Sequence, residues 1–316
     1  MLMFAKESKA ATAWADRLLG EGGMFVSLSG FSTDSDTSLF FAVAQAKPKA
    51  ALRRFAAALG RENVEARREF SGDARRTAVQ RLEQLAVPAD TFFETAKCLL
   101  LLAEAENESW SNNATGTFLS LFNLGHGELA ASELSPTDKL DYLRELLHSP
   151  VPFYREIAVQ ALSKSLDPFI SRHGIEEVIG LQRLPGRWMP ETWEQLYGSY
   201  AAHVSLLEEA VDHLPHVEGL AAAIGILEHF RSLVLIVPIV KSVLAFMRRA
   251  AQMPELRDKC IETIVATLHY EGKALSEDVR SELEALRVEL TESSFSTKLR
   301  RHAGMKLVED HFNADG

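Results

Sequence analysis

Apolar residues recur along this chain at intervals of three and four positions, the spacing of one face of an α-helix. The clearest stripe consists of Val279, Leu283, Leu286 and Leu290. Several such segments begin at or just after a proline, as at Pro48, Pro88 and Pro136. Proline suits the first turn of a helix because it lacks the N–H group that would have no partner there. The pattern predicts about ten to thirteen helices, most of them 10–20 residues long.

Little in the sequence indicates β-structure. Only Met24 to Leu28, which follows Gly22 and Gly23, looks like a strand, and one short strand cannot form a sheet. Alanine and leucine, the two best helix formers, fill 83 of 316 positions. The 18 glycines and 11 prolines are too few for a sandwich or barrel with many turns. We therefore predict an all-α protein with more than about 60% helix, above the average for soluble proteins.

The predicted helices follow one another without a Ser-, Gly- or Pro-rich linker between them. We predict an N-terminal helix and irregular connector over residues 1–35, and a continuous helical-repeat region over residues 36–316. Successive helix pairs of about 35–45 residues are typical of α-solenoids of the HEAT type. The predicted architecture is thus an α-solenoid of stacked, HEAT-like helix pairs, and a compact helical bundle is the alternative.

No catalytic motif stands out. The segment Gly20 to Gly23 is rich in glycine, but no lysine follows it before Lys47, so it is not a phosphate-binding P-loop. Cys98 and Cys260 lie in apolar helical segments, which predicts buried structural thiols rather than nucleophiles. The chain contains neither a Gly-x-Ser-x-Gly motif nor an HExxH zinc motif. We expect no enzymatic activity, no metal and no cofactor.

The start of the chain and its apolar runs bear on localisation. The first residues lack a basic leader followed by a long apolar stretch, so we expect no secretory signal. The most apolar run, Leu233 to Val240, is far shorter than the roughly 20 residues that span a membrane, and we interpret it as a buried helix. The net charge of −10 disfavours general binding to polyanions. We expect a cytoplasmic protein that does not bind membranes.

The most unusual stretch is the polar connection between two predicted helices at residues 103–123. Asparagine favours caps and turns because its side chain bonds nearby backbone groups. We interpret Asn107 as the end of one helix, Trp110 as a buried plug of the turn, and Asn112 or Asn113 as the cap of the next helix. Trp110→Ala would then cost about 3–5 kcal/mol. The alternative is a partner-binding cluster formed by Glu104, Asn107, Trp110, Asn112 and Asn113.

The same stretch, LLLLAEAENESWSNNATGTFLSLF, carries a family resemblance. It resembles a segment in the C-terminal helical-repeat regions of large bacterial STAND-type NTPases, some of them linked to antiphage defence. Their pattern is a Leu-rich helix, then Ala-Glu-x-Glu-Asn-Glu-x-Trp, an Asn-Asn-Ala-Thr turn and a Phe-rich helix. The resemblance extends over about residues 36–165, and the NTPase part with its P-loop is absent. It implies a recognition module without ATPase activity, either a fragment or a stand-alone relative of the repeat region.

A second candidate binding surface is basic. Between Lys47 and Glu83 the chain carries ten positive and five negative residues, although its total charge is −10. Solvated helix faces with local ion pairs explain such a segment. The alternative is that Arg53, Arg54, Arg75 and Arg76 converge from adjacent helices into one patch for an acidic partner or nucleic acid. Arginine suits this role because its planar guanidinium can make two bonds to a carboxylate or phosphate.

These observations favour a non-enzymatic scaffold that binds another macromolecule, which we expect to be a protein, as the sensor or recognition part of a bacterial signalling or defence system. One alternative is a helical-repeat enzyme acting on nucleic acid, of the HEAT-like glycosylase type, which requires a basic concave groove with an acid and an aromatic residue. Another is a structural module for oligomer assembly.

Overall fold

The computed structural model describes residues 9–168 and 186–292. Helices account for 72% of these residues, and no β-strand occurs among them. The prediction of an all-α protein with more than about 60% helix is confirmed. Contacts divide the chain into two compact units, Met1–Leu206 and Leu207–Gly316. This division falls inside a helix, whereas the sequence-based division at residue 35 stays a prediction.

The first unit contains nine helices among its described residues and most of a tenth. They are α1 (Lys9–Leu19), α2 (Asp34–Ala46), α3 (Pro48–Arg61), α4 (Val64–Glu69), α5 (Gly72–Leu85), α6 (Phe92–Glu104), α7 (Ala114–Ser120), α8 (Leu140–Leu147), α9 (Pro152–Ser165) and α10 (Trp193–His213). Pro48 occupies the first turn of α3, as the sequence predicts, and Pro152 occupies the first turn of α9. The helix predicted to open at Pro88 starts only at Phe92.

Two helix pairs of the first unit stack in register. Helix α2 packs on α3, and α5 packs on α6. The first helices of the pairs, α2 and α5, also pack on each other, as do the second helices, α3 and α6. Stacked pairs of this kind are the building unit of helical-repeat proteins. Farther along, α7 packs on α6 and α9, and α8 packs on α9.

The core of the first pair is aromatic. Phe25, Phe31, Phe40 and Phe55 are all fully buried, with ring centroids 4.9 to 5.5 Å apart for the pairs that meet. The segment Met24 to Leu28 that resembles a strand in sequence therefore lies against helices. It forms 3-10 turns at Met24–Val26 and Leu28–Phe31, which place Phe25 and Phe31 over α2 and α3. Phe25 and Phe31, which precede position 36, are thus part of this core.

The described residues of the second unit form the end of α10 and four further helices in sequence order. They are α11 (His216–Leu233), α12 (Val240–Ala250), α13 (Arg257–Tyr270) and α14 (Glu277–Glu292). Helix α13 packs on α11, α12 and α14.

The prediction of a buried helix at Leu233 to Val240 is wrong: α11 ends at Leu233, and the run forms turns in which Val237 is 81% exposed. Pro238 explains the break, because its ring and missing N–H prevent a helix from continuing.

Candidate functional site

The loop between α6 and α7, residues 105–113, is held by three arginine–glutamate pairs. Glu104, Glu106 and Glu108 alternate along the end of α6 and the loop, and each approaches an arginine of α4 or α5. The N–O distances are 2.6 Å for Arg67–Glu104, 3.2 Å for Arg75–Glu106 and 3.7 Å for Arg76–Glu108. Glu104 is the last residue of α6, and Glu106 and Glu108 follow in the loop, so the chain leaving α6 brings the three acids to neighbouring arginines. We call these three pairs the Arg–Glu ladder.

The central pair of the ladder lies deepest. Arg75 is fully buried, and its guanidinium donates to Leu102 O at 2.8 Å as well as to Glu106. Burial lowers the pKa of Arg75, while the Glu106 carboxylate acts in the opposite direction. Glu106 also accepts hydrogen bonds from the backbone N–H and the hydroxyl of Thr115, at 2.8 and 2.9 Å. This carboxylate therefore ties α5 to the start of α7.

The asparagines of the loop also make structural bonds. The Asn107 amide donates to the backbone carbonyls of Arg68 and Phe70, which tethers the loop to the α4–α5 connection. Asn113 caps α7, since its side-chain oxygen accepts from Gly116 N at 2.8 Å. The prediction that Asn112 or Asn113 caps this helix is confirmed for Asn113. Helix α6 ends at Glu104, three residues before the predicted end at Asn107.

Trp110 lies on the outside of this fixed loop. It is 40% exposed, so the prediction that it is a buried plug of the turn is wrong. The guanidinium carbon of Arg76 lies 4.0 Å from the centre of a Trp110 ring, and the indole N–H donates to Glu108 Oε2 at 2.9 Å. The last rung of the ladder thus fixes an exposed ring in one orientation. Asn112 follows in the same turn and is also exposed. We call Arg76, Trp110 and Asn112 the Trp110 surface.

The structure does not bring the four predicted arginines together. Arg75 is buried in the ladder, and Arg76 lies on Trp110. On α3, Arg53 approaches Glu94 of α6 at 3.7 Å, and Arg54 faces a groove beside α1. The hypothesis of one converging patch is therefore wrong, because α5 packs on α2 and α6 rather than beside the arginines of α3.

Three residues of the predicted partner-binding cluster form hydrogen bonds within the protein instead: Glu104, Asn107 and Asn113. Sequence reasoning missed Arg67, Glu106 and Glu108 as the residues that hold the loop. The three glutamates at every second position, opposite a chain segment rich in arginine, are the signal that could have indicated these pairs.

Neither cysteine is arranged for nucleophilic chemistry. Cys98 and Cys260 are fully buried. Burial raises the pKa of both thiols, that of Cys260 to about 12. Both therefore stay in the protonated, unreactive form near neutral pH. In the described ranges, no group of three or more His, Cys, Asp or Glu side chains is arranged to hold a metal ion.

Besides Arg75, the described part of the first unit encloses the basic side chains of Lys139 and His203. Lys139 Nζ donates to Leu121 O at 2.9 Å and lies 4.9 Å from the centre of the Phe92 ring. His203 donates from Nδ1 to Ser199 O at 2.8 Å, and its Nε2 is buried without a hydrogen-bond partner among the described residues. Burial lowers the pKa of His203 to about 4. The imidazole is therefore neutral at pH 7.

Neither a protein-family model, a curated protein nor a solved structure matches this chain. Within residues 9–168 and 186–292, no helix combines the length and the apolar character needed to cross a bilayer.

Proposed function

We propose that this protein is a non-enzymatic helical-repeat scaffold that binds another protein through the Trp110 surface. The observation that carries the proposal is the exposed Trp110 ring on a loop fixed by the Arg–Glu ladder. Tryptophan and arginine are the residue types most enriched among those that dominate binding energy at protein interfaces. Here the two are already stacked.

Preorganisation strengthens the proposal. Ordering a flexible side chain on binding costs about 0.5–1.5 kcal/mol. The Trp110 side chain is already held in the free protein, because Arg76 lies on the ring and Glu108 accepts a hydrogen bond from its N–H. A partner that covers the remaining surface of the ring gains apolar contact without having to immobilise it.

The resemblance to the repeat regions of STAND-type NTPases gives the proposal a context. The loop with Trp110 is the segment in which that resemblance is closest. On this basis we propose a HEAT-like recognition module in the cytoplasm of a bacterium, acting as the sensor part of a signalling or defence system.

The charges around Trp110 support a protein partner over nucleic acid. Each arginine of the ladder faces a glutamate, and Arg76 also approaches Asp73 at 3.4 Å. An enzyme acting on nucleic acid would need arginine or lysine side chains that are not paired with acids and can therefore contact phosphates. A module for oligomer assembly would instead use the Trp110 surface between copies of this chain.

The test is to capture a partner from the native host, purify it, and measure its affinity for matched variants by calorimetry. Trp110→Ala should weaken binding about thirtyfold or more, the loss typical of a dominant interface residue. Trp14→Ala is the control, because Trp14 of α1 is 39% exposed, and we expect it to change the affinity less than about threefold. Equal affinity of wild type and Trp110→Ala would refute the proposal.

Two further measurements separate the alternatives. Binding of a short DNA duplex that falls steeply with salt would indicate a nucleic-acid surface. Self-association that is lost in Trp110→Ala, measured by sedimentation, would indicate assembly.

A further inference from the structure

Helices α1 and α3 contact each other and leave a shallow open groove of about 430 Å³ between them. Its floor includes the buried side chain of Leu19. Ala50 and Ala57 lie along the α3 side, and Gly20 lies at the end of α1. Because these residues are small, the groove has room for side chains from another molecule.

Among the described residues, one of the two arginines that line this groove has no charged partner. Asp16 forms an ion pair with Lys47 at the start of α3, and Arg53 faces Glu94. Arg54 is half-buried and forms neither a hydrogen bond nor an ion pair with any residue that the structure describes. A guanidinium carries five N–H donors in a planar fork that matches a carboxylate.

We propose that this groove binds an acidic segment of a partner protein, with a Glu or Asp carboxylate accepting hydrogen bonds from Arg54 and neighbouring apolar side chains lying on Ala50 and Ala57. Charge complementarity identifies the carboxylate, because Arg54 supplies the unmatched positive charge. The small, apolar walls identify its surroundings. The open shape suits a chain segment better than a small molecule, which a pocket usually encloses over most of its surface.

This inference extends the proposed function, because it rests on the protein being a protein-binding scaffold, but it concerns a separate surface. Arg53 and Arg54 lie on α3, whereas the Trp110 surface lies on α5 and the loop before α7. The two surfaces can therefore be tested independently.

The probe is a blocked pentapeptide with the sequence alanine, leucine, glutamate, leucine, alanine, titrated into the full chain to about 5 mM. A contact of this size corresponds to a Kd of about 1 mM. Methyl NMR of the protein's alanines reports where the peptide binds. We expect saturable shifts of the Ala50 and Ala57 signals and none at Ala158, which is buried in α9. The same peptide with glutamine in place of glutamate should bind about tenfold more weakly, because it cannot form the charged hydrogen bonds.

Matched variants locate the contact. Arg54→Gln should weaken binding of the glutamate peptide about tenfold. Arg53→Gln, the same change one residue earlier on an arginine that already faces Glu94, should weaken it less than about twofold. Ala57→Leu keeps Arg54 but fills the groove, and it should also abolish the shifts. Circular dichroism of each variant checks that the helices remain.

Three results would each overturn the inference: no saturable shift at Ala50 and Ala57, equal binding of the two peptides, or equal effects of Arg53→Gln and Arg54→Gln. Trp110→Ala should leave peptide binding unchanged. The peptide titration therefore tests the groove alone, and the affinity measurement with the captured partner tests the Trp110 surface alone.

Discussion

Trp110 shows how one residue type can serve opposite roles in the same sequence context. A tryptophan between two helices suggests a buried plug, yet here the ring lies outside, between Arg76 and solvent. Its contribution to stability is therefore the small one of an exposed aromatic residue with a stacked cation.

We expect Trp110→Ala to lower the free energy of unfolding by about 1 kcal/mol or less. Phe118→Ala, eight residues later, should cost about 3–5 kcal/mol, because Phe118 is fully buried in α7. Urea unfolding of the two variants checks both values. A large loss of stability in Trp110→Ala would restore the interpretation of Trp110 as a plug.

His203 makes stability depend on pH. Its pKa in the folded protein is about 4, because burial disfavours the charged ring and the nearby cation Lys139 acts in the same direction. In the unfolded chain a histidine binds its proton below about pH 6.5. Between these two values the unfolded state holds more protons, so the free energy of unfolding falls as the pH falls. From pH 7 to pH 5 this amounts to about 2 kcal/mol from His203.

The measurement is the free energy of unfolding at several pH values in wild type and His203→Leu. The variant should lose this part of the pH dependence. His126→Gln is the control, because His126 is exposed, and it should follow the wild-type curve. Parallel curves for wild type and His203→Leu would contradict a neutral buried imidazole.

At the scale of elements, the Arg–Glu ladder joins the end of α6 and the 105–113 loop to α4 and α5. Removing one partner of a buried ion pair leaves an uncompensated charge and typically costs 3–5 kcal/mol. Arg75 is fully buried, and Glu106 is the acid that faces it.

We therefore expect Glu106→Gln to lower the free energy of unfolding by about 3 kcal/mol. Asp73→Asn, which removes an exposed partner of Arg76, should change it by less than about 0.5 kcal/mol. Hydrogen exchange should show faster exchange at Thr115 N–H in Glu106→Gln, because Glu106 accepts that hydrogen bond. If both variants are equally stable, the ladder does not hold the loop.

At the scale of the whole molecule, the four arginines that the sequence suggested as one patch are dispersed, and three of them are paired with acids. The chain carries a net charge of −10, and Arg53, Arg75 and Arg76 each approach a carboxylate. We expect a short DNA duplex to bind weakly, with little change when Arg53, Arg54 and Arg76 are replaced by glutamate. Arg75 is left out, because changing it would disturb the core. Tight binding to the duplex that these changes abolish would show that the arginines act together after all.

The helices were largely predictable because each rests on local patterns. The apolar stripe of α14 and the proline at the start of α3 act within a few residues, and both helices lie where they were predicted. The prediction failed where an apolar run has no helical continuation, as after Leu233.

The sequence by itself determined the all-α class, the approximate helix positions and a cap at Asn112 or Asn113, since these follow from helix propensity, periodicity and capping over short distances. Only the tertiary structure decided which charges meet. Arg67 and Glu104 are far apart in the chain, yet their side chains approach to 2.6 Å because α4 packs on α6. The tertiary structure also decided exposure. Trp110 lies on the outside of the loop that α4 and α5 hold, and Arg54 lies at the groove beside α1 without a described partner. Burial and pairing depend on residues distant in sequence, which no local pattern specifies.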